Sequence, residues 1–201
     1  PSRSIPRTWR STTSFDDSDR DLCSGSPGGI GYEKGDGYQS YITLNVSREM
    51  HEEDTSSPNP SCYIRIPFSV SQDVLADLSR LTLKSRFDDG IVVYLNGIQV
   101  AQMNAPGDAD WNSFATANHE ADGINTFDLS SHIDRLKAGE NLLAVHALNV
   151  SLTSSDFLFM AELTGGIVES GNDLVSPNAQ EYTGEIKVNQ TTHFKARTLS
   201  N

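Results

Sequence analysis

The sequence predicts an all-β protein, a sandwich or a barrel, on three observations. Short runs with β-type alternation recur along the chain. Glycine- and proline-rich turns separate them. Very few segments place apolar residues at helical spacing. At 201 residues the chain can bury a core without staples.

The expected strands, in order, are Tyr38–Val46, Cys62–Val70, Leu81–Phe87, Ile91–Leu95, Ile98–Met103, Gly123–Leu129, Asn141–Val150 and Phe157–Leu163. In LAVHALNV the period-two pattern puts Leu143, Val145, Ala147 and Asn149 on one face. Ala144, His146, Leu148 and Val150 fall on the other. Helical spacing occurs only in two short stretches, Asp73–Arg80 and Ser130–Leu136. The first forty residues are rich in Ser, Asp and Gly, and are expected to wrap the sandwich as loops with one or two strands. Within them, Gly28–Tyr32 and Gly35–Tyr38 read as turns flanked by packing aromatics. No Gly-Lys-Ser/Thr follows, so neither is a phosphate cradle.

From Thr164 the composition shifts to TGGIVESGNDLVSPNAQ, a linker, followed by two β-like runs, Gly184–Val188 and Thr192–Leu199. The expected division is a sandwich over 1–165, then a linker and C-terminal hairpin over 166–201. That hairpin is either docked or part of a following module. The chain starts and stops in mid-pattern, which suggests a piece of something longer.

Net charge is −12 and the pI about 4.7. Phosphates would be repelled, so no nucleic-acid partner is expected. No run of 18 apolar residues exists, so no membrane span is expected. An acidic balance suits an extracellular protein or one that holds cations. The run FDDSDRD has the D-x-D-x-D spacing with which a calcium loop begins, through Asp17, Asp19 and Asp21. An EF-hand is excluded, because Leu22 and Gly28 stand where glycine and glutamate are required. Asp17 and Asp19 remain candidate ligands of another kind of Ca²⁺ loop, against the plain reading of a solvated turn. Cys23 and Cys62 are a candidate disulfide, worth roughly 4 kcal/mol in the chain-entropy model. The alternative is two unrelated thiols.

Asp88-Asp89-Gly90 and Asn96-Gly97 have hairpin chemistry, since Asp, Asn and Gly tolerate positive φ. Leu81–Met103 therefore reads as three antiparallel strands with two tight turns. In the functional alternative, Asp88 and Asp89 point into a loop-end site. The loop 104–123 is long for a sandwich and carries Trp111, Asn112 and His119. A tryptophan at a loop end supplies the flat apolar face that a sugar ring needs, with hydrogen-bonding neighbours. The plain alternative is an anchor that packs down. No GxSxG elbow or HExxH helix occurs, and no carboxylate pair stands out as a glycosidase dyad. His146 reads as a half-buried strand residue.

The segments FDDSD, GGIGYE, SCYIRIPF, LTLKSRFDDGIVVYLNGIQVAQMNAP, WNSFATANHE, AGENLLAVHALNVS and SSDFLFMAEL together resemble one family. It is the galactose-binding-like jelly-roll modules of large secreted bacterial proteins, found beside lamin-tail, spore-coat-kinase-like and chitobiase C-terminal-type domains. The resemblance spans about Phe15–Leu163. It implies a jelly-roll β-sandwich of two antiparallel sheets, with long loops and one or two short helices. It also implies a secreted, non-catalytic module with a polysaccharide or glycan as partner, neighbouring domains in a larger chain, and structural Ca²⁺ as the possible cofactor. In that setting Trp111 stacks on the sugar, and Asp88, Asp89, Asn112 and His119 supply polar contacts. The alternative is a calcium-stabilised structural or adhesive module that makes protein contacts.

Overall fold

The computed structural model describes residues 5–16 and 28–167. Asp17, Asp19, Cys23 and the stretch expected to form a C-terminal hairpin lie outside them, and so, therefore, do the expected calcium loop and the partner sulfur for Cys62. The described residues form strands β1 (Gly29–Glu33), β2 (Ile42–Asn45), β3 (Ser61–Val70), β4 (Arg80–Asp88), β5 (Gly90–Leu95), β6 (Ile98–Met103), β7 (Asn125–Asp128), β8 (Gly139–Leu148) and β9 (Asp156–Gly166). Helices are few and short: α1 (Ser47–Met50), α2 (Gln72–Asp77), and 3₁₀ turns at Arg7–Arg10 and Ser130–Arg135.

The fold is an all-β sandwich. One sheet has the order β2-β1-β9-β4-β7, the other β3-β8-β5-β6. All pairs are antiparallel except β1 with β2 at one edge. Inward residues alternate along β4, where Leu81, Leu83, Ser85 and Phe87 are buried and Arg80 and Lys84 face water. They meet Ile91, Val93 and Leu95 of β5, Leu143, Val145 and Ala147 of β8, and Phe157 and Phe159 of β9. This is the inter-sheet core. Pro67 sits in β3, an edge strand, where its missing N–H leaves no ladder bond unmade on the free side.

The expected alternation of Leu143, Val145 and Ala147 against Ala144 and Leu148 is present, yet both faces are buried. The N-terminal segment covers the outer face. Trp9 packs among Val92, Tyr94, Leu142, Ala144 and Leu148, with its ring 4.5 Å from that of Tyr63. Arg65 of β3 holds this segment by donating to the carbonyls of Trp9, Thr12 and Thr13, the last two at 3.0 and 3.3 Å. A strand covered on both faces reads as a continuous apolar run, as GIVVYL in β5 does.

Two expectations need correction. Gly29–Glu33 is a strand, not a turn. Its glycines admit neighbours that a side chain would strike: a Cβ at Gly31 would lie 2.0 Å from the Phe157 carbonyl oxygen. Asp88-Asp89-Gly90 is not a hairpin turn either. β4 pairs with β7 and β9, whereas β5 pairs with β6 and β8, so the segment carries the chain from one sheet to the other. The Asp88–Asp89 peptide is cis. Asn96-Gly97 is the true hairpin, with φ of 49° and 91°.

Candidate functional site

The corner at Asp88-Asp89 organises one end of the sandwich. Phe87 is drawn inward by the core, which takes the two aspartates that follow it below the surface. Asp88 is 2% exposed and Asp89 3%. Both Asp89 oxygens are occupied: Oδ1 accepts from the His119 N–H and Oδ2 from the Val150 N–H, each at 2.8 Å. The Asp89 N–H donates to the Leu148 carbonyl at 3.0 Å, and its own carbonyl accepts from Asn104 Nδ2 at 3.2 Å. One buried carboxylate thus ties the β6–β7 loop and the β8–β9 loop to the corner. Burial pushes its carboxyl above the usual range, and the two N–H groups oppose that.

His119 is half-buried. Its ring stacks on Phe87 at 4.4 Å and 9°. Nδ1 lies 2.9 Å from the Phe87 carbonyl, which only accepts, so Nδ1 carries the proton and Nε2 accepts from Asn125 at 3.4 Å. Both ring nitrogens therefore serve the scaffold.

Asp88 has a different environment. Oδ2 lies 3.3 Å from the Tyr38 hydroxyl, and Oδ1 is buried with no hydrogen-bond partner. The same Tyr38 oxygen lies 3.0 Å from Glu120 Oε2 and accepts from the Ala121 N–H at 2.8 Å. Oxygens of Asp88, Glu120 and Asp156 all lie within 4.8 Å of one another. Burial first, then the charges of Asp89, Asp156 and Glu120, pushes the Asp88 carboxyl up to about 8, and the Tyr38 bond opposes that. Asp156 is raised as well, by burial and by Glu120 and Glu33. Spacing along the chain could not have found this group, because Tyr38, Asp88, Glu120 and Asp156 come from four separate segments.

The aromatic part of the site lies in the same β6–β7 loop. Trp111 is half-buried and Asn112 exposed. Phe114, which sequence reasoning passed over, is 44% exposed. The loop is held in a fixed shape. Asp110 and Ser113 exchange bonds of 2.8 and 2.9 Å, and the Trp111 N–H donates to Asp110 Oδ1 at 2.7 Å. Ser61 Oγ donates to the Trp111 carbonyl at 2.5 Å, the Ala115 N–H to the Asn149 carbonyl at 2.9 Å, and the Thr116 N–H to the Asn104 carbonyl at 2.9 Å. The five expected contact residues thus divide. Asp88, Asp89 and His119 form an inward network, while Trp111 and Asn112 belong to an outward loop.

At the opposite end a cavity of about 360 Å³ opens between the sheets, lined by Ile66, Val70, Leu78, Leu136, Leu143 and Leu163 among others. None of the expected site residues lines it.

No family model matches the chain, and no curated protein does. Among solved structures it is similar in part to a β-D-mannosidase from Dictyoglomus thermophilum, at 23% identity over 45% of this chain and 9% of that one, with a TM-score of 0.30. It is similar to a Bifidobacterium dentium β-glucuronidase at 25% identity, over 44% of this chain and 11% of that one, with a TM-score of 0.29. A glycosyl hydrolase family 2 member from Bacteroides cellulosilyticus matches at 13% identity over 80% of this chain and 19% of its own, with a TM-score of 0.37. The chain spans less than a fifth of the length of each.

Proposed function

We propose that this chain is a non-catalytic, carbohydrate-binding-type module of a secreted multimodular bacterial protein. The observation that carries the reading is the braced loop that presents Trp111 and the exposed Phe114 beside Asp110, Asn112 and Ser113. Sugar rings bind where a flat apolar face lies next to fixed polar groups, and a loop already ordered loses little entropy on binding. The resemblance carried by the FDDG, YLNG and NLLAVH segments supports the same reading. The burial of Asp88 supports a non-catalytic role: a carboxyl 2% exposed has no face to offer a glycosidic oxygen.

A glycan-array screen of the wild type, Trp111→Ala and Phe114→Ala tests this. The expected result is binding by the wild type and its loss in Trp111→Ala, with an unchanged melting temperature. Full binding by both variants would remove the loop from the site. A wild type silent on every glycan would overturn the function itself. The second reading, a structural or adhesive module, is favoured by one observation: Ile124, 60% exposed, ends the loop that carries Phe114. Two exposed apolar side chains on one loop suit a protein surface, and silence on the array with capture of a neighbouring domain would support it.

A further inference from the structure

The three clustered carboxylates have a charge problem that the protein does not solve with its own side chains. Asp88, Glu120 and Asp156 bring oxygens within 4.8 Å of one another, and among the described residues no ion pair involves any of them. Tyr38 has one proton to share between Asp88 and Glu120. Ser154 and Ser155 reach Asp156 Oδ1 at 3.3 Å each. Asp88 Oδ1 is left with nothing, although the residue is 2% exposed. A buried carboxylate oxygen without a partner costs about 1–3 kcal/mol or more. Such an atom in a native site calls for a missing ion or water.

We propose that Asp88, Glu120 and Asp156 form the carboxylate face of a hard divalent-cation site, of the calcium class, where the chain passes between the sheets. The donor set is all oxygen. His119, the nearby nitrogen donor, has both ring nitrogens engaged, so the soft and borderline metals have no preferred ligand there. Calcium takes six to eight oxygens at about 2.4 Å, so two of its ligands are at most about 4.8 Å apart, and these oxygens all lie within that limit. Magnesium needs a tighter, near-octahedral cage with ligands at about 2.1 Å. A bound cation would join the β1–β2 loop, through Tyr38, to the corner, the β6–β7 loop and the start of β9. The site goes beyond the sugar-binding reading and does not depend on it. Its three carboxylates are other than those of Asp17 and Asp19.

The test is calorimetric titration of the chelator-treated, desalted full chain with calcium chloride, alongside melting curves with and without calcium. Glu120→Gln is the principal variant, because Glu120 is exposed and glutamine keeps an oxygen for Tyr38. The expected result is saturable one-to-one binding and a raised melting temperature in the wild type. In Glu120→Gln, affinity should fall at least about tenfold, the lower end of what even outer-shell losses cost. Asp88→Asn should weaken it further, and Trp111→Ala should bind calcium as the wild type does. Absence of binding and of any melting shift at millimolar calcium would overturn the proposal. So would calcium binding of full strength in Glu120→Gln, which would place the ion elsewhere. A wild type that binds calcium but no glycan would count against the sugar reading alone.

Discussion

Replacing Asp89 by alanine strands two part-buried donors, the N–H groups of His119 and Val150. Each unsatisfied group costs about 1–3 kcal/mol, so Asp89→Ala should lose roughly 3 kcal/mol in urea denaturation. Asp89→Asn keeps one carbonyl oxygen and should recover part of that loss. Residues at this scale were legible in the sequence by type but not by role. Two adjacent aspartates and a glycine announce a change of chain direction. They do not announce that one aspartate would be consumed by backbone while the other faces two distant carboxylates. Asp88 meets Glu120 and Asp156 only through folding, since the three lie far apart along the chain. Phe114 went unnoticed because exposure of an aromatic is decided by what packs around it.

At the scale of elements, the N-terminal segment acts as a third layer. Trp9 seals the outer face of the β3-β8-β5-β6 sheet against Tyr63, Tyr94 and Leu142, and Arg10 lies 4.3 Å from the centre of the Tyr94 ring. Trp9→Ala should cost about 3–5 kcal/mol, as the loss of other buried aromatics does, and the thermal midpoint should fall with it. The β5–β6 hairpin gives a smaller effect. Gly97 has φ of 91°, and a Cβ there would lie 2.7 Å from the Ser11 Cβ. Gly97→Ala should therefore destabilise by about 1–2 kcal/mol, measured the same way. Asn96-Gly97 could be read as a hairpin because the turn needs positive φ, which few residues accept. The corner at Asp88–Gly90 has similar turn chemistry but leads to a different sheet. Local residues set the bend, whereas partner strands set where it leads. β1 escaped notice for the converse reason. Its glycines look like breakers until β9 and β2 are beside them, and then only glycine fits.

For the whole molecule, burial has a consequence in acid. His146 lies 2% exposed against Tyr63, with rings 4.4 Å apart and Nε2 unpartnered. Burial pushes it down from 6.5 to about 4, and Asp110 opposes weakly. The unfolded chain then binds the proton first. The stability tied to a neutral His146 is complete above pH 6.5 and is lost as the pH falls toward 4, by roughly 3 kcal/mol in all. Melting curves across that window should fall more steeply for the wild type than for His146→Phe, which keeps the ring contact and removes the proton. Equal slopes would show that other groups set the acid limb.

Alternation and turn residues determined, from the sequence alone, that this chain is all-β, a sandwich or a barrel, where most strands run, and which face of β8 each residue takes. These properties depend on neighbours two residues apart, so a linear pattern records them. Tertiary structure alone decided that the Asp88–Gly90 corner crosses between sheets, that Trp9 makes both faces of β8 internal, and that carboxylates from three segments share one small volume. Those are contacts between residues distant along the chain. Their cost or benefit comes from desolvation and charge at close range, and neither exists until the chain has folded.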